Sequence, residues 1–263
     1  MVFHDRQQIL YGYTVLVVIP AMVNEEPTRG NAMCGRLAQI RAEQKYLASL
    51  ALQGQLLLPP SMEPINRYNV SPHSRVGLLR SLAQGYLWTP ELWRWLPAWA
   101  EKPVRNDFNA TREKVASSCY YRDVWPHRAL LCVDGWYEWC PVEGEKTKQP
   151  YYIRRQDSEP LFLPAIGQFS EPGQEPKPDD GFRIITADSE GGMLDVHDRR
   201  PVVFDAVSAR TWISDISLDE AGRMLHDHAL PVDAFQWYAV GKAVGNYRNE
   251  GPGLIEPLAP PSH

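Results

Sequence analysis

Apolar positions are spread unevenly along the chain, and their spacing changes as it proceeds. Residues 1–32 hold one apolar run, Tyr13-Thr-Val-Leu-Val-Val-Ile-Pro-Ala-Met-Val23, and then the breaker-rich Asn24-Glu-Glu-Pro-Thr-Arg-Gly-Asn-Ala32, with no amphipathic period in either. From Leu37 to Leu58 the residues Leu37, Ile40, Tyr46, Leu47, Leu50 and Ala51 recur at near-helical spacing between polar neighbours, which predicts a helix. Beyond Pro59-Pro60 the pattern turns to short apolar runs punctuated by Pro and Gly. Val76–Leu79, Leu130–Val133, Tyr151–Ile153, Leu161–Leu163, Phe182–Thr186 and Pro201–Phe204 are rich in β-branched and aromatic residues and read as strands. Helical patterns return over Ala206–Ile213 and Asp219–Leu225, where Asp205, Ser208 and Asp219 offer caps. Gly173 to Gly181 reads as an exposed loop, and the whole as a mixed α+β domain with much loop.

A length of 263 residues fits one large domain or two small ones. Hydrophobic residues at 44% and charged residues at 22% exclude a disordered or fibrous chain. Cys34, Cys119, Cys132 and Cys140 form no Cys-x-x-Cys pair and have no His at zinc-finger spacing, so neither a metal site nor another cofactor is expected. A net charge of −5 argues against non-specific coating of nucleic acid but leaves a local basic groove open. No run approaches the roughly 20 apolar residues that span a bilayer. The 13–23 segment carries Pro20 and follows Asp5 and Arg6, a poor basic start for a signal peptide, so a cytoplasmic protein without a membrane partner is expected.

Four clusters could carry chemistry. In Met33-Cys34-Gly35-Arg36, translation from Met33 and loss of that Met would leave Cys34 with an amine and a thiol, both partly nucleophilic near neutral pH. Held one bond system apart, they could take an aldehyde first as an imine and then as a thiazolidine. The alternative is an ordinary buried cysteine behind a leader. In Asp134-Gly-Trp-Tyr-Glu-Trp139, strand alternation puts Trp136 and Glu138 on one face and Tyr137 and Trp139 on the other. A carboxyl among aromatics has a raised pKa suited to general acid work, whereas on an edge strand it would be an ordinary surface carboxylate. In Asp195-Val-His-Asp-Arg-Arg-Pro201, His197 beside Asp198 is either a proton shuttle or a structural histidine. Arg199 and Arg200 are phosphate ligands or surface ion pairs. Last, Phe108-Asn-Ala-Thr-Arg-Glu113 follows the tryptophans of Trp88 to Trp99, which are stacking platforms for unpaired bases or simply core.

Together with Arg67-Tyr-Asn-Val-Ser-Pro72, Gln149-Pro-Tyr-Tyr152, Ile184-Ile-Thr186 and Ala243-Val-Gly-Asn-Tyr-Arg-Asn-Glu-Gly-Pro252, these clusters resemble, in order, the motifs of the SOS-response-associated peptidase (SRAP) family of abasic-site processing proteins. The resemblance runs from Cys34 to about Leu258 and implies a single SRAP-like domain over 34–263, with a mixed, largely antiparallel β core flanked by helices and long loops. It implies a protein, expected to be monomeric, that captures ring-opened abasic sites in single-stranded DNA as a thiazolidine crosslink, with lyase and crosslink-reversing activity. Cys34 would be the nucleophile, Glu138 the proton shuttle, His197 the aid to ring opening and reversal, and Asn109 the group that orients the linkage. Arg36, Arg67, Asn69, Thr186, Arg199 and Arg200 would contact DNA, with Trp99 stacking or wedging near the lesion.

Two departures from the family stand out. Where its members have Asn-Ala-Arg, this chain has Asn109-Ala-Thr111 with the arginine one position later, which on a strand would turn Arg112 to the opposite face. Residues 1–33 would also block the Cys34 amine, so they are expected to be a misassigned start or a processed leader. An N-terminal-nucleophile cysteine peptidase acting on that leader, and a non-covalent single-strand binder, are the competing readings.

Overall fold

The computed structural model describes residues 34–100 and 106–258; the expected leader, residues 1–33, lies outside the described residues. Two sheets stack face to face. The smaller is built from β1 (Leu37–Gln39), β2 (Arg67–Val70), β7 (Gly135–Cys140), β8 (Gln149–Arg155) and β12 (Phe235–Ala239), in the order β12-β8-β7-β1-β2. The larger runs β11-β10-β9-β6-β3-β4, from β3 (Arg75–Leu82), β4 (Gly85–Leu92), β6 (Arg128–Val133), β9 (Leu161–Gln168), β10 (Gly181–Asp188) and β11 (Arg199–Pro201). The short β5 (Asn109–Thr111) pairs with β10 in parallel, while the other ladders are antiparallel. Helices α1 (Glu43–Leu50), α2 (Arg112–Val115), α3 (Ala206–Trp212) and α4 (Leu218–Asp227) complete the α+β domain.

The uninterrupted apolar runs have a simple cause. In β6, Ala129, Leu131 and Val133 face the space between the sheets, where they meet Leu37, Trp136 and Phe235. Leu130 and Cys132 face the other way, onto a layer holding Tyr46, Trp212 and Leu225 of the helices. A strand buried on both faces shows no polar alternation. The outer face of the small sheet, with Ala38, Tyr137 and Tyr152, is closed by Val240, Val244 and Leu254 of the C-terminal segment.

Several predicted boundaries shift. The helix expected from Leu37 begins only at Glu43 and stops at Ala51, whose φ of 47° is left-handed. Leu37–Gln39 is a strand because Leu37 pairs with Val70 on one side and Trp136 on the other. Leu37 and Ala38 are buried on opposite faces of it, so periodicity alone could not separate strand from helix. The strand expected over 201–204 is Arg199–Pro201 instead, and Phe204 makes only an isolated bridge to Phe162. Asp205 caps α3 as expected, accepting from the Ser208 N–H at 2.7 Å. The cap of α4 is Ser217 rather than Asp219.

Gly135, where the chain enters β7, has no room for a side chain. A methyl there would meet the Tyr152 ring and, at 2.6 Å, the Ile153 carbonyl oxygen. Gly135→Ala is expected to lower the unfolding free energy by about 2–3 kcal/mol through overpacking. Denaturant unfolding with an unchanged m-value checks this.

Candidate active site

The site forms where the start of β1 meets β7. Cys34 is fully buried and has a φ of 39°, a left-handed backbone that a side chain other than glycine adopts at a cost. Its N–H donates to Glu138 Oε1 at 3.0 Å. Glu138 is 4% exposed, and β7 lies between β8 and β1, so the edge-strand reading of this carboxyl does not hold. The alternation across β7 is as expected: Trp136 enters the inter-sheet core and Tyr137 the outer layer. Phe108 and Pro72 flank Gly35, so β5 and the loop after β2 wall the Cys34 segment. Asn109 follows directly, buried and paired with Ile184 of β10.

His197 sits after a short 3₁₀ turn over Gly191–Asp195, with its Nδ1 2.8 Å from Asp198 Oδ1 and 3.1 Å from the Arg199 N–H. A deprotonated Nδ1 accepts from the backbone and a protonated one donates to the carboxylate, so the two neighbours favour opposite forms. Burial lowers the His197 pKa, and Asp198 opposes that shift. Burial raises the Glu138 pKa far above the carboxylate range; the Cys34 N–H opposes this and the Asp198 charge reinforces it. Burial likewise holds the Cys34 thiol protonated, with the Glu138 charge adding to the effect. Lys148 favours the ionised carboxylate of Glu138 and the neutral form of His197, so one exposed cation and one carboxylate, Asp198, act on both groups.

The basic residues divide into two groups. Around Thr186, which is fully buried, Arg199 spreads its guanidinium over Asp188, over Glu113 at 3.1 Å and over the Thr186 carbonyl at 3.0 Å. Arg200 is 4% exposed and donates through Nη2 to the Leu230 carbonyl at 2.9 Å, but its Nε and Nη1 are buried with no partner among the described residues. Arg36, Arg67 and Asn69 lie elsewhere. Asn69 accepts from Arg36 at 2.7 Å and donates to the carbonyls of Asn246 and Asn249, each at 2.9 Å, tying β2 to the C-terminal segment. Arg67 donates to the Arg75 carbonyl and to Ser74. Of the tryptophans, Trp93 and Trp95 belong to the core, whereas Trp99 is 57% exposed. The displaced arginine also has a different setting from the expected one: β5 ends at Thr111 and Arg112 opens α2, so strand alternation does not reach it, and its charge acts on Arg200.

The model of one family, SOS response associated peptidase (SRAP), matches residues 33–247. The chain belongs to the SRAP family. Among curated proteins it is 40% identical over 228 residues to Abasic site processing protein YedK of Escherichia coli (strain K12), covering 86% of this chain and 100% of that one. It is 26% identical over 275 residues to Abasic site processing protein HMCES of Rattus norvegicus, covering 86% of this chain and 76% of that one. Among solved structures, a phage-related protein from Bordetella bronchiseptica superposes with a TM-score of 0.64 at 32% identity, over 79% of this chain and 94% of that one.

Two residues whose charges act on Glu138 and His197 were not singled out as site residues from the sequence: Lys148 and Asp198. Lys148 lies in the charged run Glu145-Lys-Thr-Lys148, which reads as a solvated turn. Asp198 appeared only as a neighbour of His197.

The two perturbed groups give opposite pH signatures. The raised folded pKa of Glu138 means that stability falls as pH rises above the ordinary value of 4.5, where the unfolded chain ionises and the folded one does not. Glu138→Gln removes that loss, so the stability of the variant relative to the parent should climb with pH from there. The lowered pKa of His197 means that stability falls as pH drops below 6.5, and His197→Gln should remove that slope. Chemical denaturation of both variants between pH 4 and pH 8 tests the two signs.

Proposed function

We propose that the chain processes abasic sites in single-stranded DNA by covalent capture through Cys34. The observation that carries this reading is the buried Glu138 carboxyl 3.0 Å from the Cys34 nitrogen. In the ring-opened lesion the C1′ aldehyde is attacked by the Cys34 amine, giving a carbinolamine. Glu138, held protonated by burial, gives its proton to the hydroxyl, which leaves as water and leaves an iminium ion. The resulting carboxylate then takes the proton of the thiol, which burial keeps protonated until that moment, as sulfur closes the five-membered ring on C1′. Each half of the reaction thus restores the form of Glu138 that the other needs.

In this reading His197, held towards its neutral form by burial, assists opening of the sugar ring and reversal of the linkage. Asn109 orients the linkage from β5. Arg199, Arg36 and Arg67 would exchange internal partners to bind phosphate, and Arg200, 4% exposed, would first have to be uncovered. Trp99 is free to stack on a base. The amine must be free, so we take Met33 as a start that is itself removed, or residues 1–33 as a processed leader; the family match beginning at residue 33 supports this. The protein would act as a monomer in the cytoplasm. A second reading has an observation of its own: Glu138 touches the nitrogen of the Met33–Cys34 bond, where a peptidase acting on its own leader would cut.

Proteins begun at Met33 and at Met1 are incubated with a single strand carrying one abasic site and run on a denaturing gel. A heat-resistant shifted band from the Met33 form is expected. Cys34→Ala keeps an amine but no sulfur, so it should give strand incision by β-elimination without the stable band. Glu138→Gln should slow capture by at least about 100-fold. No band from either form overturns the capture reading, and cleavage of the Met1 form at Met33–Cys34 without DNA favours the peptidase. Affinity for an undamaged strand should fall steeply between about 50 and 200 mM salt as counterions are released; a flat response in an anisotropy titration removes the proposed phosphate contacts.

A further inference from the structure

We infer that Arg183 is a positioning residue that presets the exposed Trp99 and the segment carrying Asn109; the use made of that arrangement rests on the single-stranded DNA reading above. Arg183 lies in the middle of β10 and is 3% exposed. Its Nε donates to the Trp95 carbonyl at 2.8 Å, its Nη1 to the carbonyls of Asn106 and Asn109, each at 3.1 Å, and its Nη2 to the Tyr120 hydroxyl at 2.7 Å. The guanidinium carbon is 5.1 Å from the ring centre of Tyr120, 5.7 Å from that of Tyr121 and 5.8 Å from that of Trp95. Among the described residues no carboxylate forms an ion pair with it.

A cation buried among neutral acceptors and aromatic faces is costly unless its donors are used. Here they join three segments with little ladder of their own: the stretch after β4 that leads to Trp99, the approach to β5, and the turns around Tyr120 and Tyr121. Trp99 is reached through one ring, since it packs edge-to-face on Tyr120 with centroids 5.7 Å apart. The chain therefore connects Arg183 to Tyr120 to Trp99 on one side and Arg183 to the Asn109 backbone on the other. A stacking ring already held in place loses less freedom when it meets a base. Lysine cannot reproduce this, because one ammonium cannot serve acceptors spread around a planar fork.

The test uses the full chain labelled with 5-fluorotryptophan, in which the Trp99 fluorine signal is identified by its loss in Trp99→Phe. In Arg183→Lys, and more mildly in Tyr120→Phe, that signal should move to the position of a freely solvated indole, while the signals of buried Trp136 and Trp212 stay. A parallel anisotropy titration compares an undamaged single strand with one carrying a tetrahydrofuran abasic analogue. Arg183→Lys should reduce the preference for the analogue by at least about 5-fold, the scale of one weakened stacking contact. Trp99→Ala added to Arg183→Lys should reduce it no further. An unmoved Trp99 signal in Tyr120→Phe, with Arg183→Lys either unmoved or unfolded, overturns the inference, as do additive losses in the double variant. If the parent chain shows no preference for the analogue, the DNA reading fails, and the fluorine signals still decide the role of Arg183.

Discussion

The architecture turns on one short strand, β7, and two carboxyl groups, one just before it and one within it. Asp134 precedes β7 and Glu138 lies inside it, and each takes donors from the chain that runs from Cys34 into α1. Asp134 pairs with Arg41 at 2.7 Å and accepts from the Ile40 N–H at 2.7 Å and from the Tyr46 hydroxyl. Glu138 accepts from the Cys34 N–H at 3.0 Å. Between them the backbone locks the register, with the Asp134 N–H on the Ala38 carbonyl and the Tyr137 N–H on the Arg36 carbonyl. A carboxyl withdrawn from water must be protonated or supplied with donors. The segment beginning at Cys34 supplies them, and so its first residue is delivered to the acid.

That arrangement also bears on how the groups of the proposed reaction can be both buried and useful. The same burial that keeps Glu138 protonated keeps the Cys34 sulfur from ionising. His197 has the opposite character, neutral through burial and set between a donor and a carboxylate. Burial thus pushes Glu138 and Cys34 one way and His197 the other, and the proposed acid–base chemistry would draw on that separation.

The arginines show how much of a basic surface is internal framework. Arg36, Arg128, Arg183 and Arg199 spend their donors on carbonyls and carboxylates of this chain. Among the described residues, Arg200 alone combines deep burial with two unpartnered guanidinium nitrogens, at the position on β11 that pairs with Ala187. A charge count of the sequence cannot separate these cases, because both begin as the same residue type.

By itself the sequence determined the fold class, the family, the loop at Gly173–Gly181, the Asp205 cap and the faces of β7, because each rests on local chemistry: turn residues, capping oxygens, period-two alternation and ordered motifs. It did not determine β1, whose residues fit a helix until Val70 and Trp136 are placed beside them. It could not tell the core indoles Trp93 and Trp95 from the exposed Trp99, or an engaged arginine from an idle one. Those distinctions were decided by tertiary structure alone. Burial and hydrogen-bond partnership belong to contacts between distant segments, such as Cys34 with Glu138 across 104 positions, and no local pattern encodes which segments will meet.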